Sequence, residues 1–175
     1  MVLSQLTNKQ DVCFGYLASG RDLEVDGVEE VIGPLITTLV SRVDLSGATA
    51  KVLEKTRRNL LNHFGFQHVS LAKIQDGLGL RGEQLFNTSM TIRQAIHSTR
   101  AGDGQLRLES VSGNSTNEYN IGVAVELDGT ATDVQLLYQS DVVGEVLALE
   151  AAEIFQMAIG FLMDSALSNE EKSLV

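Results

Sequence analysis

The sequence predicts an α/β (α+β) sandwich, in which one mixed β-sheet has helices packed on it. Short segments rich in Val, Ile, Leu, Phe and Tyr, typical of strands, are distributed over the whole 175-residue chain. Other stretches repeat their apolar residues at three- and four-residue steps, which is the period of an amphipathic helix. Because the strands and the three predicted helices follow no strict alternation, we expect one sheet covered by helices.

The first half of the chain holds two predicted strands and two predicted helices. In the longer helix, apolar residues such as Val52 and Leu60 repeat at helical spacing, while charged residues take the other face. The predicted elements, in order, are a strand over 11–19, a polar loop over 20–26, a short helical turn over 27–32, a strand over 35–43, a helix over 48–64 and a shorter helix over 69–78.

The second half is predicted to be mainly β, followed by one long helix. Asp128 and Gly129 predict a hairpin between its last two strands. We expect one domain over residues 1–168 and a charged, frayed tail over 169–175. The predicted elements are strands over 85–92, 105–111, 118–127 and 133–139, and a helix over 144–167.

Composition narrows the function classes. The net charge is −10, from 23 acidic and 13 basic residues, which disfavours nucleic acid and anionic membranes as partners. No charge-free apolar run reaches about 18 residues, so we expect no membrane-spanning segment. The single cysteine, Cys13, makes no internal disulfide, and the N-terminus does not resemble a signal peptide. These features predict a cytoplasmic protein.

Two short motif matches have ordinary structural explanations. Residues 77–82 fit G-x-G-x-x-G, but a helix precedes them and a strand follows, the reverse of a dinucleotide site, so we interpret them as a helix end and a turn. Ser70 and Lys73 fit S-x-x-K without the S-D-N and K-T-G elements that serine β-lactamases also need. We therefore expect Ser70 to cap a short helix.

Histidines and a basic cluster are the remaining candidates for chemistry. His63, His68 and His97 lack the clustered partners of a zinc site, so no metal is predicted, although each is a conceivable general base. A basic cluster, Lys51, Lys55, Arg57 and Arg58, is interpreted as a solvated helix face, with contact to an acidic partner as the alternative.

Five segments in chain order resemble motifs of the condensation domains of nonribosomal peptide synthetases, with details closest to fungal members. Thr37 and Val40 depart from the first motif, which has Asn and Pro there. The similar segments are residues 32–42 (family pattern (I/V)-G-x-F-V-N-T-L-x-x-R), 66–72 (H-Q-D-Y-P-F-E), 81–88 (R-D-x-S-R-N-P-L-F), 11–21 (a D-V-V-F-G strand leading to S-G-R) and 118–121 (an E-Y-D-L strand start).

This resemblance implies the C-terminal lobe of such a domain, with a chloramphenicol-acetyltransferase-like fold. In the family, an acceptor amine attacks an acyl thioester, and both substrates are tethered to carrier proteins by phosphopantetheine arms. The catalytic H-H-x-x-x-D-G motif belongs to the N-terminal lobe and does not occur in this sequence. The implied function is one wall of the reaction tunnel, inactive alone, with no cofactor bound directly.

The resemblance also assigns site residues and partners. It implies no catalytic residue here, and Arg21 best matches an arginine that pairs with the Asp of the missing motif and joins the lobes. A floor loop over 22–31 and a latch within 93–112 are expected. The residues expected at the tunnel or floor loop are Ser19, Gly20, Asp22, Gly27, Gly33 and Thr37. Implied partners are the N-terminal condensation lobe, peptidyl carrier proteins and an adjacent adenylation domain.

Two alternatives stay open at this point. One is a small stand-alone acyltransferase that uses His63, His68 or His97 as its base. The other is a non-catalytic module that binds a carrier protein or a complementary N-terminal lobe. The sequence offers no group of residues whose spacing alone decides between them.

Overall fold

The computed structural model describes residues 1–21, 25–94, 118–129 and 132–173, with side chains described as far as residue 163. A 3-10 turn, Val28–Glu30, lies between the first two strands. The helices are α1 (Val2–Thr7), α2 (Thr49–Phe64), α3 (Leu71–Gly77) and α4 (Glu145–Ser173), and the strands are β1 (Asp11–Ala18), β2 (Thr37–Asp44), β3 (Thr88–Gln94), β4 (Ile121–Leu127) and β5 (Thr132–Tyr138).

The five strands form one mixed sheet in the order β2-β1-β3-β4-β5. The β1–β2 and β4–β5 pairs are antiparallel, whereas β1–β3 and β3–β4 are parallel. Antiparallel neighbours need only a short connection, and parallel neighbours need a longer one. Accordingly, β2, α2 and α3 all lie between β1 and β3 in the chain, and the sandwich predicted from the sequence is confirmed.

The two faces of β1 have different neighbours. Val12 and Phe14 line an apolar cavity together with Leu6 of α1 and Phe155 of α4, so this face is the one covered by helices. The alternate residue Gly15 faces the other side, where it lies against the ring of Phe86. The period of two along the strand therefore separates the two layers.

Some predicted boundaries differ from the observed ones. Strand β3 begins at Thr88, three residues later than expected. Phe86 precedes the strand and packs its ring against Gly15 on a face of the sheet instead of continuing the strand. The sequence predicted no element for residues 1–10, which contain the six-residue helix α1. The helix end expected at residue 167 is wrong, since α4 continues to Ser173. The domain boundary expected at residue 168 stays a prediction. The strand expected over 105–111 lies outside the described residues.

Helix α4 is unusually apolar for its exposure. Its segment Glu145–Met163 has a mean hydropathy of 1.7 and is 11% buried, so by length and composition alone it could cross a membrane. Core helices of proteins without a membrane span pass the same test. The exposed apolar side chains on this segment include Val146, Leu149, Met157 and Phe161.

Replacing Gly15 tests the packing of the sheet against Phe86. A Cβ at residue 15 would lie 2.7 Å from Cζ of Phe86, which is closer than van der Waals contact allows. We expect Gly15→Ala to lower the free energy of unfolding, measured by urea denaturation, by about 1 to 3 kcal/mol. The control is Gly77→Ala at the end of α3, where the added methyl meets nothing within 4 Å. Equal urea midpoints for the two variants would contradict this packing.

Candidate functional site

The segment after β1 makes a tight turn that only glycine can occupy at its centre. Gly20 has φ 68°, in the left-handed region, and a Cβ there would overlap the carbonyl oxygen of Leu35. Ser19 supports the turn, because its Oγ accepts a hydrogen bond from the backbone N–H of Arg21 at 3.2 Å. The turn brings the end of β1 beside the residues that precede β2.

Arg21 extends its side chain over the loop that follows. The guanidinium is half-buried and donates to backbone carbonyls only, in the contacts described. A charged donor makes stronger hydrogen bonds than a neutral one, and the fork of an arginine can bridge several acceptors. Nη1 donates to the carbonyl oxygens of Val28 (3.0 Å), Glu29 (3.4 Å) and Val31 (3.0 Å), and Nη2 donates to that of Gly33 (3.2 Å).

The loop held by Arg21 exposes an apolar surface. Gly27 precedes the 3-10 turn with φ 77°, and Gly33 has φ 148°, so glycines bracket the segment at both ends. Between and beside them, the exposed side chains are Val25 (58%), Val31 (46%), Ile32 (101%) and Ile36 (66%), which we call the loop surface. Apolar side chains grouped at this exposure are typical of a contact surface.

Thr37 does not join the Arg21 loop. It is the first residue of β2, pairs with Ala18, and donates a hydrogen bond from Oγ1 to the carbonyl oxygen of Gln67 at 3.0 Å. Of the predicted floor-loop residues, the structure therefore places Ser19, Gly20 and Gly33 in direct relation to Arg21 or its turn. Asp22 lies outside the described residues, as does the expected latch beyond Gln94.

Tyr16, His63 and Gln67 carry buried polar atoms, whose burial sequence reasoning did not predict. Gln67 is only 1% exposed, and the ring of Tyr16 stacks on that of His63 with centroids 6.4 Å apart. Burial raises the pKa of Tyr16. Three buried atoms here, Tyr16 Oη, His63 Nδ1 and Gln67 Oε1, have no hydrogen-bond partner among the described residues. The available signal was Gln67 itself, which matches the glutamine of the second family motif.

The remaining motif candidates have structural roles. Ser70 caps α3, since its Oγ accepts a hydrogen bond from the backbone N–H of Lys73 at 3.3 Å. Gly79 and Gly82 adopt left-handed conformations in the turn after α3, as the interpretation of the G-x-G-x-x-G match required. Within the described parts of the chain, no group of three His, Cys, Asp or Glu side chains is placed to hold a metal ion.

Arg42, the last residue of the first motif, forms an ion pair across the sheet. Its Nη2 lies 2.5 Å from Oδ2 of Asp11, and its Nε contacts Oδ1 at 3.0 Å, which makes a two-pronged contact between β2 and β1. Both side chains are exposed. The hydrogen bond from Arg42 lowers the pKa of Asp11 below its ordinary value.

The comparison with known families can now be added to this geometry. A family model described as the condensation domain matches residues 1–172. The chain belongs to the condensation domain family. It is 34% identical over 168 residues to the nonribosomal peptide synthetase atnA of Emericella nidulans, and 36% identical over 164 residues to nonribosomal peptide synthetase 5 of Gibberella zeae. These alignments cover 95% and 91% of this chain but only 2% of each relative.

Solved structures agree on the fold. The chain superposes on the structure titled holo T3CT with a TM-score of 0.67 at 20% identity, covering 86% of this chain and 36% of that one. It also superposes on the first condensation domain of the calcium-dependent antibiotic synthetase, in complex with a substrate analogue, with a TM-score of 0.60 at 15% identity, covering 86% and 34%. The chain thus spans about a third of these solved chains, and the predicted chloramphenicol-acetyltransferase-like fold is confirmed.

Two glycine substitutions test whether the turn at Gly20 positions the loop. Both Gly20 and Gly27 have positive φ, but a Cβ at Gly27 meets nothing within 4 Å. Gly27→Ala should therefore cost only the left-handed strain, about 1 to 2 kcal/mol. Gly20→Ala should cost more, because the backbone at Leu35 must also move. Urea denaturation measures both, and a smaller loss for Gly20→Ala would contradict the close approach.

The Asp11–Arg42 pair predicts a specific acid dependence. Because the folded pKa of Asp11 is depressed, its contribution to stability is present above the unfolded pKa and is lost as pH falls through the folded value. In Arg42→Gln, the pKa of Asp11 should rise toward the ordinary range, as followed by NMR titration of the carboxyl. Arg93→Gln, which removes the partner of Glu126 on other strands, should leave Asp11 unchanged. A pKa that does not respond to Arg42→Gln would refute the assignment.

Proposed function

We propose that this chain is the C-terminal lobe of a nonribosomal peptide synthetase condensation domain and forms one wall of its reaction tunnel. The observation that carries the proposal is the family match over residues 1–172 in a sequence that lacks the H-H-x-x-x-D-G motif. The lobe then contributes surface and position, while the catalytic histidine comes from the N-terminal lobe. Amide bond formation belongs to the assembled domain.

The distribution of apolar surface supports a lobe that packs against further polypeptide. Helix α2 has no buried residue, although Leu53, Leu60 and Leu61 lie on it. A cavity of about 590 Å³ lies along Val52 of α2 and Leu162 of α4. The loop surface adds a further exposed apolar area. Apolar surface that the described residues leave exposed is expected to add stability when a second lobe covers part of it.

The proposed reaction places modest demands on this lobe. The acceptor amine nitrogen attacks the thioester carbonyl carbon, the carbon–sulfur bond breaks as the amide forms, and a proton from the amine passes to the departing thiolate, which leaves as a thiol. Both substrates are held on the phosphopantetheine arms of carrier proteins, so no cofactor is bound directly by this chain. Holding the two reacting groups together supplies much of the rate through effective molarity. The floor loop, expected over residues 22–31, would limit where the arms can lie.

Arg21 is the residue proposed to join the lobes. The Asp of the missing motif would approach the guanidinium on the side away from the carbonyls of the loop, where a charge-assisted hydrogen bond can form. The partners that follow from this function are the N-terminal condensation lobe, peptidyl carrier proteins and an adjacent adenylation domain. A cytoplasmic location fits these partners.

Reconstitution tests the proposed function. Incubated with donor and acceptor carrier proteins, each loaded with an aminoacyl thioester, the chain alone should produce no amide above the protein-free background, as measured by mass spectrometry of the acceptor arm. Addition of a separately expressed N-terminal lobe should give a complex by calorimetry and restore amide formation. A mutant N-terminal lobe with its catalytic histidine replaced by alanine is the control, and it should bind without activity.

The competing acyltransferase makes the opposite prediction. It requires amide or ester formation by the chain alone, and loss of that activity on replacing one histidine. His63 lies against Tyr16, whereas His68 is exposed, so His63→Ala and His68→Ala separate a buried base from an accessible one. Activity of the isolated chain that either variant abolishes would overturn the lobe assignment.

A further inference from the structure

Arg21 bonds to its own loop, and we propose that it is a positioning residue that fixes residues 28–33 through their carbonyls before any second lobe binds. The proposal deepens the function proposed above, on which its consequence for lobe binding rests. Its core, however, concerns contacts inside this chain. The guanidinium joins the carbonyls of Val28, Glu29, Val31 and Gly33, at 3.0 to 3.4 Å.

The described loop has few other bonds that could hold it. Within residues 25–33 the backbone hydrogen bonds are local: Val28 N–H to Val25 (3.1 Å), Glu30 N–H to Gly27 (3.0 Å) and Val31 N–H to Val28 (3.4 Å). A 3-10 turn of three residues is weak by itself. The bonds from Arg21 instead link residues 7 to 12 positions apart in the chain. Arg21 therefore supplies the longer-range restraint on this segment.

The geometry requires an arginine and not merely a positive charge. The acceptors are divided between Nη1 and Nη2, so two nitrogens in one rigid plane are needed to reach both Val31 and Gly33. A lysine ammonium offers three donors from one nitrogen and cannot reproduce this bridge. A lysine would, however, still attract a carboxylate from another lobe. The substitution Arg21→Lys therefore separates the effect of the positive charge from the effect of the guanidinium's shape.

The restraint acts on the most exposed apolar residue of the loop surface. Ile32 lies between Val31 and Gly33, whose carbonyls are both bonded to Arg21, and its side chain is 101% exposed. A fully exposed isoleucine whose backbone is held on both sides is preorganised for contact, because less conformational entropy is lost when it is covered. We infer that Arg21 positions Ile32 for contact with the N-terminal lobe.

Hydrogen exchange of the isolated chain tests the restraint without any partner. In Arg21→Lys and Arg21→Ala, the amides of Glu30 and Val31 should exchange faster by about tenfold or more, since bonds to a charged donor are lost. Arg42→Lys, which changes an exposed arginine on β2, should leave this segment unchanged. Unchanged exchange in Arg21→Lys would overturn the proposal.

A measurement on the unmodified chain guards against variants that fail to fold. If the guanidinium is bonded to carbonyls on two sides, rotation about its Nε–Cζ bond is hindered, and ¹⁵N NMR should resolve separate Nη1 and Nη2 signals for Arg21. A single averaged signal, as from a freely rotating side chain, would contradict the proposed positioning role of Arg21 even if no variant could be purified.

Binding to the N-terminal lobe tests the consequence. With positioning, Arg21→Lys should lose most of the affinity although it keeps the positive charge, Arg21→Ala should weaken the complex further, and Ile32→Ser should weaken it without changing exchange at Glu30. If Arg21 acts only through its charge, Arg21→Lys should retain most of the affinity, which would refute the positioning role. Failure of the unmodified chain to bind the N-terminal lobe would instead refute the proposed function. The hydrogen-exchange result would then still decide whether Arg21 restrains residues 28–33.

Discussion

The structure depends on how closely other segments can approach strand β1. This strand lies between β2 and β3, so it pairs on both edges, and each of its faces must also accept a neighbour. Gly15 admits the ring of Phe86 on one face, and Gly20, just beyond the strand, admits the backbone at Leu35. The first approach seats Phe86 on the face of the sheet opposite α1 and α4. The second approach places Arg21 beside the carbonyls of residues 28–33. Both the packing of Phe86 and the candidate site therefore depend on glycines in or just after β1.

Much of the fold could be predicted because it is encoded locally. The apolar periodicity located β1, β2, β5 and α2 to within about two residues at each end, and the antiparallel pairing of β4 with β5 is the one expected from the Asp-Gly pair. The misplaced start of β3 has a different origin. Phenylalanine is common in strands, but the side chain of Phe86 packs on a face of the sheet. Gly15, which is 71 positions away in the sequence, leaves the space for its ring. Periodicity carries no information about such a pairing.

The candidate site was less predictable for the same reason. Family resemblance singled out Arg21 and paired its guanidinium with a carboxylate outside this chain, and that pairing stays a prediction. Within the chain, the guanidinium bonds to backbone carbonyls, which the sequence did not indicate. The carbonyl acceptors belong to the backbone, whose position depends on φ values at Gly27 and Gly33 and not on side-chain types. Gln67 was overlooked because glutamine side chains are mostly exposed in folded proteins, whereas this residue is only 1% exposed. Contacts to backbone acceptors and the burial of side-chain amides cannot be recognised from amino-acid composition.

The two roles assigned to Arg21 are compatible only if they occur in a defined order. A guanidinium that first had to leave four carbonyls to reach a carboxylate would leave those acceptors unpaired, and part of the gain from the ion pair would be offset. A guanidinium that keeps its hydrogen bonds to the carbonyls and adds a carboxylate on its remaining side breaks no hydrogen bond on binding. Its side chain is also already ordered, so little further conformational entropy is lost. The second order also explains why the loop surface can stay apolar: its backbone polar groups are satisfied from within by one charged side chain, so the side chains of Val31 and Ile32 are available for contact. Arg21 is therefore better understood as part of the internal structure of this chain than as a free charge awaiting a partner.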